Sequence, residues 1–291
     1  MPSQGNAIFD AIRHNGFPIV TKYDIWKALV HLHAQSQSRN FLFASEPPSP
    51  SLLSDIISFL LNRKLLSIDQ DFSAHVFRVR DIPDGSPDEL CCIVDPFCHV
   101  AYLSALQWHG FTDRRPQALM FATPSIPQWK AMADEKGQHD FPGTMSEFSI
   151  LYPRLKIPAK VRGKKILFHN TKHFGQNTMQ RSPKFRIATP AQTFLDGLLE
   201  PELCGGMAHV LDIWKSHVAE HLGDVLRLID ACESPITKVR AGYILEEMIS
   251  LSDPIIDTWK QHAQRGSSRK LDPAKPFIEK HSKTWMLSIN V

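Results

Sequence analysis

Two rhythms of apolar and polar positions divide residues 49–80, SPSLLSDIISFLLNRKLLSIDQDFSAHVFRVR, into a helix and a two-stranded hairpin. In the first part Leu52, Leu53, Ile56, Ile57, Phe59, Leu60 and Leu61 recur at helical spacing. At about 100° per residue they cover roughly 200° of the surface, as on a helix buried on most sides. Ser51, Ser54, Asp55, Ser58 and Asn62 share the remaining wedge, a narrow polar face. Ser49 suits the N-cap and Pro50 the first turn, where a missing N–H loses no partner. Arg63 and Lys64 close the helix, where cations suit the carbonyl end of its dipole. The rhythm then becomes extended. Leu66–Ile68 and residues 74–80 predict strands around an Asp69-Gln70-Asp71 turn, with Arg78 and Arg80 on the second strand.

Two more helices precede this pair. Residues 3–14 place Ile8, Ala11 and Ile12 on one face, and Asn15-Gly16 stops the helix because both residues tolerate a left-handed backbone. A second helix is predicted from Thr21, whose T-x-x-D spacing to Asp24 resembles a capping box. Its apolar stripe is Ile25, Ala28, Leu29 and Leu32. Residues 34–50 are polar and proline-bearing, so they predict a loop with Phe41-Leu42-Phe43 as an apolar anchor. Three helices followed by a hairpin is the order of a winged helix-turn-helix, whose third helix enters the major groove.

Residues 81–88, DIPDGSPD, carry two prolines, a glycine and three acids, the composition of a linker. The expected organisation is α+β: a winged helix-turn-helix over residues 1–80, a linker over 81–89 and a larger mixed domain over 90–291, ending in a helical cluster. In that domain residues 90–94, 118–123, 148–152, 165–169 and 184–188 predict strands, and 100–108 a helix. Residues 190–263 predict helices broken at Cys204-Gly205-Gly206, Gly223, Ser234-Pro235 and Asp253-Pro254. Residues 285–290 alternate like a strand expected to return to the sheet.

Charge changes the picture more by its distribution than by its sum. The 33 basic and 30 acidic side chains nearly cancel, and residues 1–80 carry only eight Lys or Arg against six Asp or Glu. That is a thin basic stripe for a DNA-binding module. Residues 148–195 hold ten basic residues and no acid, including Lys160, Arg162, Lys164, Lys165, Lys172, Lys184 and Arg186. Residues 191–257 reverse the balance, with twelve acids against four bases. The basic block reads either as one side of an internal interface or as a surface for a polyanion. No apolar run is long enough to span a membrane and no signal pattern opens the chain, so the expected location is the cytoplasm. Cys91, Cys92, Cys98, Cys204 and Cys232 form no metal-ligand spacing and are expected to be small buried apolar residues.

Catalytic patterns are sparse. His217-Val218-Ala219-Glu220-His221 matches the H-x-x-E-H of inverted zinc peptidases, which also need a distant third ligand; Glu246 and Glu247 lie too near to supply it in that pattern. Glycine-rich phosphate loops, a G-x-S-x-G elbow and an acid-then-E-x-K nuclease pattern are not found. The expectation is a non-enzyme with neither cofactor nor metal.

Three segments of the larger domain resemble the AbiEi-type antitoxins of bacterial type IV toxin–antitoxin systems. Residues 95–124 carry Pro96, Tyr102, Ser104-Ala105-Leu106, His109-Gly110 and Thr123. Residues 187–214 carry a Leu-Asp pair, a following proline and a Gly-Gly that opens the next helix. The third is RAGYILE at 240–246, with the closing Trp-to-Asn segment at 285–290. The resemblance implies an autorepressor that binds inverted repeats upstream of its own operon and counters a nucleotidyltransferase-like toxin.

On this reading Ser51, Ser54, Ser58 and Asn62 face base edges, while Lys22, Lys27, Arg63, Lys64, Arg78 and Arg80 hold phosphates. Lys160, Arg162, Lys164, Lys165, Lys172, Lys184 and Arg186 add phosphate contacts or dock the toxin or its RNA substrate. The alternatives are a metal-dependent nuclease or zinc peptidase, or an interaction scaffold whose winged helix binds protein.

Overall fold

The computed structural model describes residues 2–38, 47–72, 74–141, 152–174, 178–264 and 268–291, with the side chains of 2, 3 and 36–38 left aside. The chain is a mixed α+β protein in two compact units. The first comprises Met1–Cys98, Thr123–Lys172 and Arg181–Arg186; the second comprises His99–Ala122, His173–Gln180 and Ile187–Val291.

The first unit begins with α1 (Pro2–His14), β1 (Ile19–Thr21), α2 (Lys22–Ser38), α3 (Pro50–Asn62), β2 (Leu66–Ile68) and β3 (Val76–Val79). The strands form an antiparallel sheet in the order β1-β3-β2, with Ile19 opposite Arg78 and Leu66 opposite Val79. β1 is absent from the sequence reading. It is three residues long and buried throughout, so it shows no alternation. The capping box forms as expected: the Thr21 N–H and hydroxyl each donate to Asp24 Oδ2 at 2.7 Å, and the Asp24 N–H donates to Thr21 Oγ1 at 3.3 Å. α2 runs to Ser38, beyond the loop start expected at residue 34, and the Phe41-Leu42-Phe43 anchor lies outside the described residues. Trp26, Tyr23, Ile8, Leu29, Leu53 and Leu60 are sealed in the core. α1 crosses α3 at Gly5, where a Cβ would stand 2.3 Å from the Phe59 ring.

This unit does not stop at Arg80. Ser86 donates its N–H and its hydroxyl to Glu89 Oε2 at 3.1 and 3.2 Å, and Pro87 fills the first turn of α4 (Pro87–Val94). α4 buries Leu90, Cys91, Cys92 and Val94 and packs on β1. The strand expected over 90–94 is thus a capped helix, which begins at Pro87 inside the expected 81–89 linker; residues 81–86 are irregular. The unit continues in the helix Ile126–Asp140, also missed in the sequence, and the hairpin of Lys160–Val161 with Lys164–Thr171. Of the strand expected over 148–152 only Tyr152 is described, and it has no regular structure.

In the second unit His99 and Val100 pair antiparallel with Ala122 and Phe121, and Val100 pairs parallel with Ile187. Helices Pro190–Leu199, Met207–His217, Leu222–Ala231 and Pro235–Tyr243 enclose Phe194, Trp214, Trp259 and Trp285. The Gly205-Gly206 break forms, with φ of 89° and 90°. The break expected at Gly223 falls instead at a 3-10 turn, Val218–His221, and Gly223 lies inside a helix. Of residues 285–290 only Leu287–Ser288 is a strand, and its partner is the short strand His281–Ser282.

Candidate nucleic-acid interface

α3 has the geometry its sequence demands. The Ser49 hydroxyl accepts from the Leu52 N–H at 3.2 Å, while Leu52, Leu53, Ile56 and Leu60 are buried. Ser51, Ser54, Asp55, Ser58 and Asn62 are exposed. Two serines are already committed as donors: Ser54 Oγ donates to the Pro50 carbonyl and Ser58 Oγ to the Ser54 carbonyl, each at 2.9 Å. Their oxygens remain acceptors, whereas the exposed Asn62 side chain offers both donor and acceptor.

The helix ends in a Schellman turn. The Lys64 N–H donates to the Leu61 carbonyl and the Leu65 N–H to the Leu60 carbonyl, both at 2.9 Å. This puts Lys64 at φ 56°, where glycine is the usual occupant. Arg63 and Lys64 are exposed, and the Arg63 guanidinium lies 5.8 Å from the Phe59 ring centroid.

The other predicted phosphate contacts divide. Arg80 is exposed, 3.6 Å from the Asp81 carboxylate, and Lys22 is half-buried. Arg78 is turned inward: Nη1 donates to the Pro18 carbonyl and Nη2 to the Ile82 carbonyl, each at 2.6 Å. It holds the sheet to the following chain through both terminal nitrogens. Lys27 is also paired internally, its Nζ 2.6 Å from Asp140 Oδ1.

Asp140 gathers more than Lys27. Oδ2 accepts from Lys136 Nζ at 2.9 Å and from the Tyr23 hydroxyl at 3.0 Å, and the Asp140 carbonyl lies 2.9 Å from His31 Nε2. Burial alone would raise this carboxyl, but the two ammonium groups hold it down at about 2. A cleft of about 800 Å³ is lined in part by Lys27, His31, Lys136, Tyr152 and Arg186. Lys27 and Lys136 share the one Asp140 carboxylate there, while Arg186 is held by backbone carbonyls.

The basic block also divides. Arg162 donates through all five guanidinium N–H groups: to Asp69 at 3.0 and 2.6 Å, to Asp71 at 2.6 Å and to Asp84 at 2.8 and 3.1 Å. These bonds outweigh burial at Asp69 and hold both Asp69 and Asp84 below the usual carboxylate range. Arg186 donates to the carbonyls of Cys98, Cys92 and Asp95 at 2.9, 2.5 and 2.8 Å. Lys184 Nζ lies 5.8 Å from the Phe17 ring centroid. Arg162 and Arg186 are therefore ties within the first unit, not surface cations. Lys160, Lys164, Lys165 and Lys172 are exposed and make no ion pair among the described residues. Sequence reasoning missed the partners of Arg162, which lie 78 to 93 positions away; the acidic Asp69-Gln70-Asp71 turn was the available signal.

The H-x-x-E-H pattern straddles the end of a helix at His217 and a 3-10 turn, with His217 stacked on Phe111 at 5.0 Å. Among the described residues no three His, Cys, Asp or Glu side chains gather as a metal site. Cys91, Cys92, Cys98 and Cys204 are buried thiols.

No family model matches the chain, and no curated protein matches it. Among solved structures it is similar to the crystal structure of the RV2827C protein from Mycobacterium tuberculosis. The identity is 12%, over 99% of this chain and 91% of that one, with a TM-score of 0.46.

Proposed function

We propose that the chain is a sequence-specific DNA-binding repressor of the AbiEi antitoxin type, with residues 2–80 acting as a winged helix-turn-helix. One observation carries the reading: the exposed stripe of α3 is its polar stripe, and two exposed cations close it at Arg63 and Lys64. The order α1-β1-α2-α3-β2-β3 with its β1-β3-β2 sheet supports the same reading. α3 would enter the major groove, where Asn62 can pair with adenine and the serine oxygens can accept from exocyclic amines. Arg63, Lys64 and Arg80 would hold phosphates and set register. Arg78 and Lys27 have no part in this, because both are engaged internally.

The antitoxin role rests on the resemblance of residues 95–124, 187–214, 240–246 and 285–290 to that family. The test has two arms. The protein should retard a duplex taken from upstream of its own gene in the presence of excess shuffled duplex. Coexpression should restore growth to cells carrying a nucleotidyltransferase-like toxin from the adjacent gene. Failure of the first arm removes the repressor; failure of the second removes the antitoxin.

A further inference from the structure

A wing in this kind of fold is the β2–β3 hairpin, whose tip would meet the DNA backbone beside α3. Here that tip is acidic and occupied. Asp69 is buried, and Asp69 and Asp71 are both bound by Arg162. Arg162 reaches them from the two-residue turn Arg162-Gly163, between Lys160–Val161 and Lys164–Thr171. Both turn residues have positive φ, 48° and 78°, as a type I′ hairpin turn requires. The first of these positions favours Asn, Asp or Gly, so a long side chain sits there at a conformational cost. The cost is offset by the guanidinium bonds and by the Arg162 N–H, which donates to Asp71 Oδ2 at 2.8 Å. The negative charge of a carboxylate-lined tip is thereby reduced, and a second hairpin is fixed against it.

That second hairpin is cationic. Lys160 and Lys165 are directly opposite one another across the ladder, Lys164 lies opposite Val161 on the other face, and all three lysines are exposed. Like charges directly opposed across strands destabilise a hairpin. A polyanionic backbone reverses that cost into attraction. We propose that the 160–165 hairpin, rather than the β2–β3 tip, supplies the phosphate contacts beside α3, and that Arg162 is the positioning residue that puts it there. The inference rests on the DNA-binding reading and names the partner of the basic block as the duplex backbone.

The experiment is binding of the full chain to upstream duplex across a salt series. Lys160→Gln, Lys164→Gln and Lys165→Gln together change only exposed side chains. The slope of log K against log salt should fall by about two to three units, near 0.9 per lost contact. Arg162→Met should lower the slope equally, and adding the three glutamines to it should lower it no further. An additional loss in the combined variant would overturn the positioning role. An unchanged slope in the triple variant, with DNA still bound, would overturn the proposal while leaving the DNA-binding reading intact. If the wild-type chain binds no duplex, the underlying reading fails instead. Circular dichroism of Arg162→Met checks its fold, and the lysine triple stands without it.

Discussion

At the scale of single residues, two positions trade stability against something else. Lys64 occupies the left-handed position of the α3 Schellman turn with φ 56°, a place for glycine. Lys64→Gly should relieve strain and raise stability by about 1 kcal/mol or less, glycine's chain entropy taking back part of the gain. The same change should weaken DNA binding, because it removes one of the cations that close the helix. Thermal melts and a binding isotherm on one protein preparation check both signs. Asp196 is the second case. Gln192 Nε2 donates to its Oδ1 at 2.7 Å, its Oδ2 has no partner among the described residues, and burial pushes its carboxyl up to about 7. Since the folded value lies above the ordinary one near 4, folding favours the protonated form. Stability should fall as pH rises from about 4 to about 7, by on the order of 4 kcal/mol. Asp196→Asn should therefore raise the melting temperature at pH 8 and leave it nearly unchanged at pH 4. An equal effect at both values would contradict the burial account.

At the scale of elements, legibility in the sequence followed the strength of local signals. α3 was readable to its ends because Ser49, Pro50 and a wide apolar arc agree. β1 was not, since three buried residues carry no period. The 90–94 run was misread because a short apolar stretch does not separate strand from helix. Its start signal, Ser86 with Glu89, sat inside what composition marked as linker. The helix Ile126–Asp140 was missed because it buries only Trp129, Ala133 and Asp140, too few to show a stripe. What joins that helix to α2 was invisible for another reason: Asp140 lies 113 and 117 positions from Lys27 and Tyr23. Asp140→Asn should leave two ammonium groups with half their partner and destabilise the first unit by about 3 kcal/mol. Because the Asp140 carboxyl is held at about 2, below its ordinary value, its contribution is present above pH 4 and lost as pH falls toward 2. The penalty of Asp140→Asn should accordingly shrink below pH 3 in urea titrations.

At the scale of the whole molecule, sequence composition found the charge and the structure sorted it. Ten basic residues in one acid-free stretch looked like a single field. Arg162 and Arg186 turn out to be internal ties, while Lys160, Lys164, Lys165 and Lys172 stay at the surface. No count of residues could separate these roles, because the acids that claim Arg162 come from the turn after β2 and from Asp84. The division suits a protein in which affinity and specificity come from different places: exposed lysines for the backbone, and the polar face of α3 for the bases. The most direct test measures the affinity ratio between the upstream duplex and a shuffled one, for the wild-type chain and for Ser54→Ala with Asn62→Ala. The double variant should lose about tenfold or more of the discrimination, at about 1–3 kcal/mol per base contact, while its affinity for shuffled DNA stays the same. A discrimination ratio that does not move would mean that α3 does not read the sequence.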